Sequence, residues 1–220
     1  MLLPSLLVLA AAGLIAGGEA GVAVPQTGAL RVRATTAVAP CVEAAARAYE
    51  KSGGRAVVET GALGDATTAE VLVGASAEVT RALEGGAAAA DSDEEVARVP
   101  WVLVVTTGNP YGVHRLADAG RAGIEVWVAG GPAAHAARRA AEQAAPQQVR
   151  EASDGLVPNG AAAALAPLCL AGAGERLPVD VPDLVVEAAV SAHAGRPDAA
   201  RAFVAFLASP AGRRAFAATP

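Results

Sequence analysis

Short runs rich in Val and Leu alternate with segments of helical period from residue 29 to the end of the chain. "ALRVRAT" alternates like a strand. "PCVEAAARAYEKSGG" then places Val42, Ala45, Ala46 and Tyr49 at i, i+3, i+4 and i+7, one helical face, and Gly53 and Gly54 end it. "RAVVET" and "AEVLVGA" read as strands, and "AEVTRALEGG" as a short helix. "VARVPWVLVVTT" reads as one long buried strand with a break point at Pro100. Next come a helix in "VHRLADAGRAG", a strand in "IEVWVAG", and a helix in "PAAHAARRAAEQAA" with Pro132 near its first position. "NGAAAALAPLCLAGAG" reads as a helix or two half-helices around Pro167, and "ERLPVDVP" and "LVVEAAVSA" as strands. "RPDAARAFVAFLA" puts Ala199, Phe203, Phe206 and Leu207 on one face, and Ser209-Pro210 caps a last helix. Such alternation predicts an α/β fold with mainly parallel sheets and flanking helices.

One link breaks the pattern. Between "RAVVET" and "AEVLVGA" lies "GALGDATT", a glycine loop with no room for a helix before the next strand. Glycines at 61 and 64 suit a tight turn or a close approach to a ligand, and the two readings stand side by side.

The first residues stand apart. "LLPSLLVLAAAGLIAG" is uninterrupted and apolar, and "GEA" and "GVA" follow it. Residues 1–23 are expected to be a secretory signal peptide cleaved after Ala20 or Ala23, with an uncleaved membrane anchor as the alternative. That places the protein in the periplasm or outside the cell. Cys41 and Cys169 lie far apart in segments of helical pattern, and two small buried thiols are expected rather than a disulfide.

The chemistry available is limited. The formal charge is −5, and no basic face suited to nucleic acid is expected. The one lysine, Lys51, follows no glycine loop, which excludes a Walker phosphate site. His114, His135 and His193 have no second ligand at metal spacing, and Ser153-Asp154 reads as a turn cap. No catalytic residues, metal or cofactor are expected, and the chain is not expected to be an enzyme.

The order of these segments resembles the periplasmic molybdate-binding proteins of ABC transporters, a branch of the type II solute-binding proteins. "LRVRATTAVAPCVEAAARAYEKSGG", "VVETGALG" and "AEVLVGAS" are similar to the family's opening strand, helix, glycine loop and third strand. "VLVVTTGNPYGVHRLADAGRAGIEVWVAGGPAAHAARRAAE" resembles its passage into the second lobe, and "VREASDGLVPNGAAAALAPL" the segment after it. "PDAARAFVAFLASPAGRRAF" resembles its ending. The resemblance implies two lobes, residues 28–106 with 175–220 and residues 107–174. It implies an oxyanion held between them by hydroxyls and backbone N–H groups.

Carried across residue by residue, the first site loop falls on Thr35, Thr36 and Ala37, with Ala37 where the family has serine. The second falls on Gly61, Ala62, Leu63 and Gly64, with Leu63 in a serine position. Backbone positions fall on Pro132, Ala133, Ala134 and Val149. The family's tyrosine falls on Leu168 and an aspartate on Ala163. The helix that follows the family's glycine loop is missing, so the loop resembles a remnant of an oxyanion site, with Asp65 beside it. The expected function is therefore a secreted solute-binding protein with a degenerate molybdate or tungstate site, monomeric, serving ABC transporter membrane subunits. The alternatives are an envelope interaction domain without a small ligand, or a binding protein for another small ligand.

Overall fold

The computed structural model describes residues 28–152 and 161–217. The expected signal peptide and the Ser153-Asp154 turn lie outside the described residues. Strand β1 (Leu30–Ala34) leads into helix α1 (Ala39–Lys51), then β2 (Ala56–Thr60), β3 (Val71–Ala75), α2 (Ser76–Glu84) and β4 (Glu94–Val99). A second group follows: β5 (Trp101–Val105), α3 (Leu116–Ala122), β6 (Val126–Val128), α4 (His135–Ala144), β7 (Val149–Glu151), β8 (Ala163–Pro167) and β9 (Glu175–Pro178). The chain ends with β10 (Leu184–Val190), α5 (Pro197–Ala208) and α6 (Pro210–Ala217).

The strands form two five-stranded sheets, ordered β2-β1-β3-β10-β4 and β7-β6-β8-β5-β9. Their topologies match. In the first, β10 runs against β3 and β4 while the other four strands point the same way. In the second, β5 is the reversed strand. Each reversed strand is the one that enters its sheet directly from the other sheet. The result is an α/β molecule of two lobes with helices on the sheet faces.

The lobe boundaries differ from expectation. Pro100 divides the expected long strand into β4 and β5, and these belong to different sheets. Proline has no N–H for a ladder, so the chain changes sheet there. β9 also stays in the second sheet, so the return crossover lies between Pro178 and Leu184 rather than before Glu175. Residues 101–106 and 175–178 therefore belong to the second lobe.

The alanine-rich segment around Pro167 is a strand, not a helix. Every residue of Ala163–Pro167 is buried, with β5 on one side and β6 on the other. Alanine favours helix only where packing leaves the choice open, and between two strands the ladder decides. Leu168–Leu170 follows as a single 3-10 turn.

The expectation of free thiols is also overturned. Cys41 in α1 and Cys169 in that turn form a disulfide, with Cα atoms 5.4 Å apart. The two residues lie 128 positions apart in sequence, and the sheets bring them together across the lobe boundary.

One face of the first sheet carries the larger core. Leu30, Val32 and Ala34 of β1, Val71 and Val73 of β3, and Val186 and Ala188 of β10 pack there with α1, α5 and α6. Val42, Ala45, Ala46 and Tyr49 all turn into it, as their spacing predicts. Tyr49 meets Phe203 edge-on with ring centroids 4.9 Å apart. The Ser209 hydroxyl accepts the Gly212 N–H at 3.2 Å, capping α6.

The opposite face is covered differently. Residues 61–70 form no helix, and a small second core lies beneath them: Leu63, Ala66, Ala69, Leu72, Val79 and Ala82. Leu63 is 4% exposed. With no helix between β2 and β3, the loop itself has to bury the sheet, and a leucine serves that end where a serine would not.

At the end of this loop Glu70 is held by Arg196 in a two-pronged pair, Nε to Oε1 at 2.8 Å and Nη2 to Oε2 at 2.7 Å. Arg196 also donates to the carbonyls of Gly28 and Ala29, and Glu70 accepts the Arg31 N–H. One ion pair thus joins the start of the domain, the loop and the approach to α5. The guanidinium bond, ahead of the other influences, holds the Glu70 carboxyl below its ordinary value.

Candidate functional site

In an open α/β sheet the crevice beyond the carboxyl ends of the strands is where a ligand finds exposed backbone. Here two such ends face each other. From the first lobe come the turn after β1 (Thr35, Thr36, Ala37), the start of the loop after β2 (Gly61, Ala62), and Glu78 of α2. From the second come Gly130, Gly131 and Ala133 after β6, and Glu151 and Ala152 at the end of β7. Together they enclose about 530 Å³. α2 packs beside the 3-10 turn Pro132–Ala134 across this cleft.

The local backbone accounts for each wall. Thr35 continues β1 by one residue, donating its N–H to the Val73 carbonyl at 3.0 Å. Its own carbonyl then accepts from Val38 and Ala39 and starts α1. Across the cleft, Gly130 lies so close to the Ala152 carbonyl that a Cβ there would sit 2.4 Å from it. Gly131 has φ +98°, in the left-handed region that favours glycine, and turns the chain into the 3-10 segment.

Two carboxylates dominate the polar character. Glu78 Oε2 accepts the Thr35 hydroxyl at 2.9 Å and the Ala75 N–H at 3.0 Å. It stands at the third position of α2, where a glutamate reaches back to the unpaired N–H before the helix. Thr35 is 7% exposed, so its hydroxyl is committed to this bond. Gly74 leaves the room for it, since a Cβ there would lie 3.1 Å from Thr35 and 3.2 Å from the Glu78 carboxylate. In the second lobe Glu151 accepts the Gly131 N–H at 3.4 Å and pairs with Arg138, which also holds Glu142.

Among the described residues no Arg, Lys or His side chain lines the cleft. Arg33 lies against Gly61 and pairs with Glu59 at 3.2 Å. The backbone N–H groups of Thr36, Ala37 and Ala62, and the Thr36 hydroxyl, have no protein acceptor among the described residues.

Of the residues expected at a site, the structure brings Thr35, Thr36, Gly61, Ala62 and Ala133 to this one cleft, along with Ala37. Gly64 is exposed on the loop beyond it. Pro132 borders a neighbouring hollow with His135 and Arg138. Val149 begins the strand whose far end, Glu151, reaches the cleft. Leu63 and Leu168 turn into cores instead.

Sequence reasoning missed Glu78 and Glu151. Their signals were a glutamate three residues past the end of "VLVGA" and another closing a strand that carries its carboxyl end to the lobe boundary. Among the described residues no three His, Cys, Asp or Glu side chains gather as metal ligands do.

Comparison with known proteins agrees with this architecture. A family model described as bacterial extracellular solute-binding protein matches residues 175–219. No curated protein matches the chain. Among solved structures, Peb3 from Campylobacter jejuni is 16% identical with a TM-score of 0.66, over 86% of this chain and 96% of that one. The sulfate-binding protein SubI from Mycobacterium tuberculosis is 18% identical with a TM-score of 0.67, over 86% and 84%. The periplasmic molybdate-binding protein of Azotobacter vinelandii is 15% identical with a TM-score of 0.67, over 86% and 97%. At such identities the likeness is one of fold: the chain has the two-lobed fold of these binding proteins, and its last segment matches the solute-binding family model.

Proposed function

We propose that the chain is an exported solute-binding protein that takes one small solute in the cleft between its lobes and presents it, as a monomer, to the membrane subunits of an ABC uptake system. The observation that carries this reading is the convergence of five separate chain segments from both lobes on a single cavity of about 530 Å³, with donors left uncommitted at Thr36, Ala37 and Ala62. A volume of that order suits a small solute. The disulfide supports export, since such bonds persist in oxidising compartments.

Within that reading, the site is a weakened relative of the molybdate and tungstate sites. Thr36, Gly61, Ala62 and Ala133 offer the hydroxyl and backbone positions that an oxyanion uses, but Ala37 and Leu63 supply no hydroxyl, and the Thr35 hydroxyl is already given to Glu78. Each hydrogen bond lost to a charged group costs about 1.5–3 kcal/mol, so two losses weaken binding on the order of a hundredfold or more.

Calorimetry with molybdate, tungstate and sulfate on the mature protein tests this. Weak or absent binding is expected, with Thr36→Ala reducing what remains. A tight molybdate complex that Thr36→Ala leaves unchanged would show that the site is wrongly assigned.

A further inference from the structure

We propose that Glu78 and Glu151 set the specificity of the cleft: they bar tetrahedral dianions and admit a solute bearing an ammonium or a similar donor-rich cation. The proposal rests on the reading of the cleft as the solute site and gives the class of its ligand. In each lobe the chain places one of its own carboxylates on donors that an anion would otherwise use. Glu78 takes the Thr35 hydroxyl and the Ala75 N–H ahead of α2. Glu151 takes the Gly131 N–H at the turn into the Pro132–Ala134 segment. Both line the same cavity, from opposite sides of the lobe boundary.

The charge balance points the same way. Glu151 shares Arg138 with Glu142, so that cation is not available to an anion in the cleft. Glu78 has no cationic partner among the described residues, and its Oε1 accepts no protein hydrogen bond there. A dianion entering the cleft meets like charge at short range in a partly desolvated space, where charge interactions are several times stronger than in water. An ammonium meets the reverse field and an open acceptor on Glu78. The free N–H groups of Thr36, Ala37 and Ala62 and the Thr36 hydroxyl remain for an oxygen atom on the same solute.

The test is the double variant Glu78→Gln with Glu151→Gln. Glutamine keeps the shape and can still accept at the start of α2, so the fold is retained while the charge is removed. Molybdate and sulfate are titrated into the full chain and the variant at fixed ionic strength, with putrescine and L-arginine as cationic probes. The expected result is an anion affinity at least about tenfold higher in the variant, and a cationic probe bound by the wild type and weakened about tenfold by the substitutions. Anion affinity unchanged or undetectable in the variant overturns the proposal, as does tight molybdate binding by the wild type.

Ala133→Trp, which fills the second-lobe wall, separates the two levels. Solute binding abolished by Ala133→Trp but indifferent to the glutamates leaves the cleft as the site and removes the specificity claim. Binding indifferent to all three substitutions removes both.

Discussion

Opening the Cys41–Cys169 bond should remove a large share of the molecule's stability. The bridge closes a loop with a sequence separation of 128 residues, running from α1 of the first lobe through almost all of the second. In the chain-entropy account, a loop of that size restricts the unfolded state by about 5 kcal/mol at room temperature. Folded domains are stable by only about 5–15 kcal/mol, so the bond accounts for a third of the total or more. The assay is urea unfolding of the same protein, oxidised and reduced. Tryptophan fluorescence reports the second lobe through Trp101 and Trp127, and far-UV circular dichroism reports the whole. With a slope of about 2 kcal/mol per molar urea, the midpoint should fall by roughly 2.5 M on reduction. The slope itself should rise, because a chain freed of its cross-link exposes more surface when unfolded. The Cys41→Ala, Cys169→Ala double variant should behave like the reduced protein, less a small cost for the lost packing. A midpoint shift under about 0.5 M would refute the reasoning, since a bridge between two lobes already held together would then constrain nothing further.

Glu70→Gln should cost about 2–3 kcal/mol. That is below the range for fully buried pairs, because the Arg196 side chain is 33% exposed. The Glu70 carboxyl is held below its ordinary value of 4.5, so its contribution is complete above that value and is lost as pH falls through the lowered one. Acid titrations of stability should therefore be flatter for Glu70→Gln than for the wild type, and parallel curves would count against the pair. Phe203 is fully buried and meets Tyr49 and Phe206. Phe203→Ala should cost about 3–5 kcal/mol in the same urea assay, and a loss under 1 kcal/mol would mean that the aromatic cluster can collapse to fill the space.

The sequence by itself determined the class of fold, because the two periods of apolar residues are local and need no partner to be read. Val42, Ala45, Ala46 and Tyr49 show the buried face of α1 by spacing alone, and Ser209-Pro210 marks the start of α6. It also marked the turn after β1 and the loop after β2 as walls of one cleft, through the likeness of segment order. Only the tertiary structure decided which strands share a sheet. Whether residues 94–105 form one strand or two depends on where the second sheet stands, and Ala163–Pro167 became a strand because β5 and β6 flank it. The disulfide was equally hidden, since a separation of 128 residues carries no information about a Cα distance of 5.4 Å. The charge of the cleft was decided last. Glu78 and Glu151 belong to different lobes, and neither carries any local sign that it faces the other. Side-chain chemistry is written in the sequence, but its convergence comes from the packing of the two sheets.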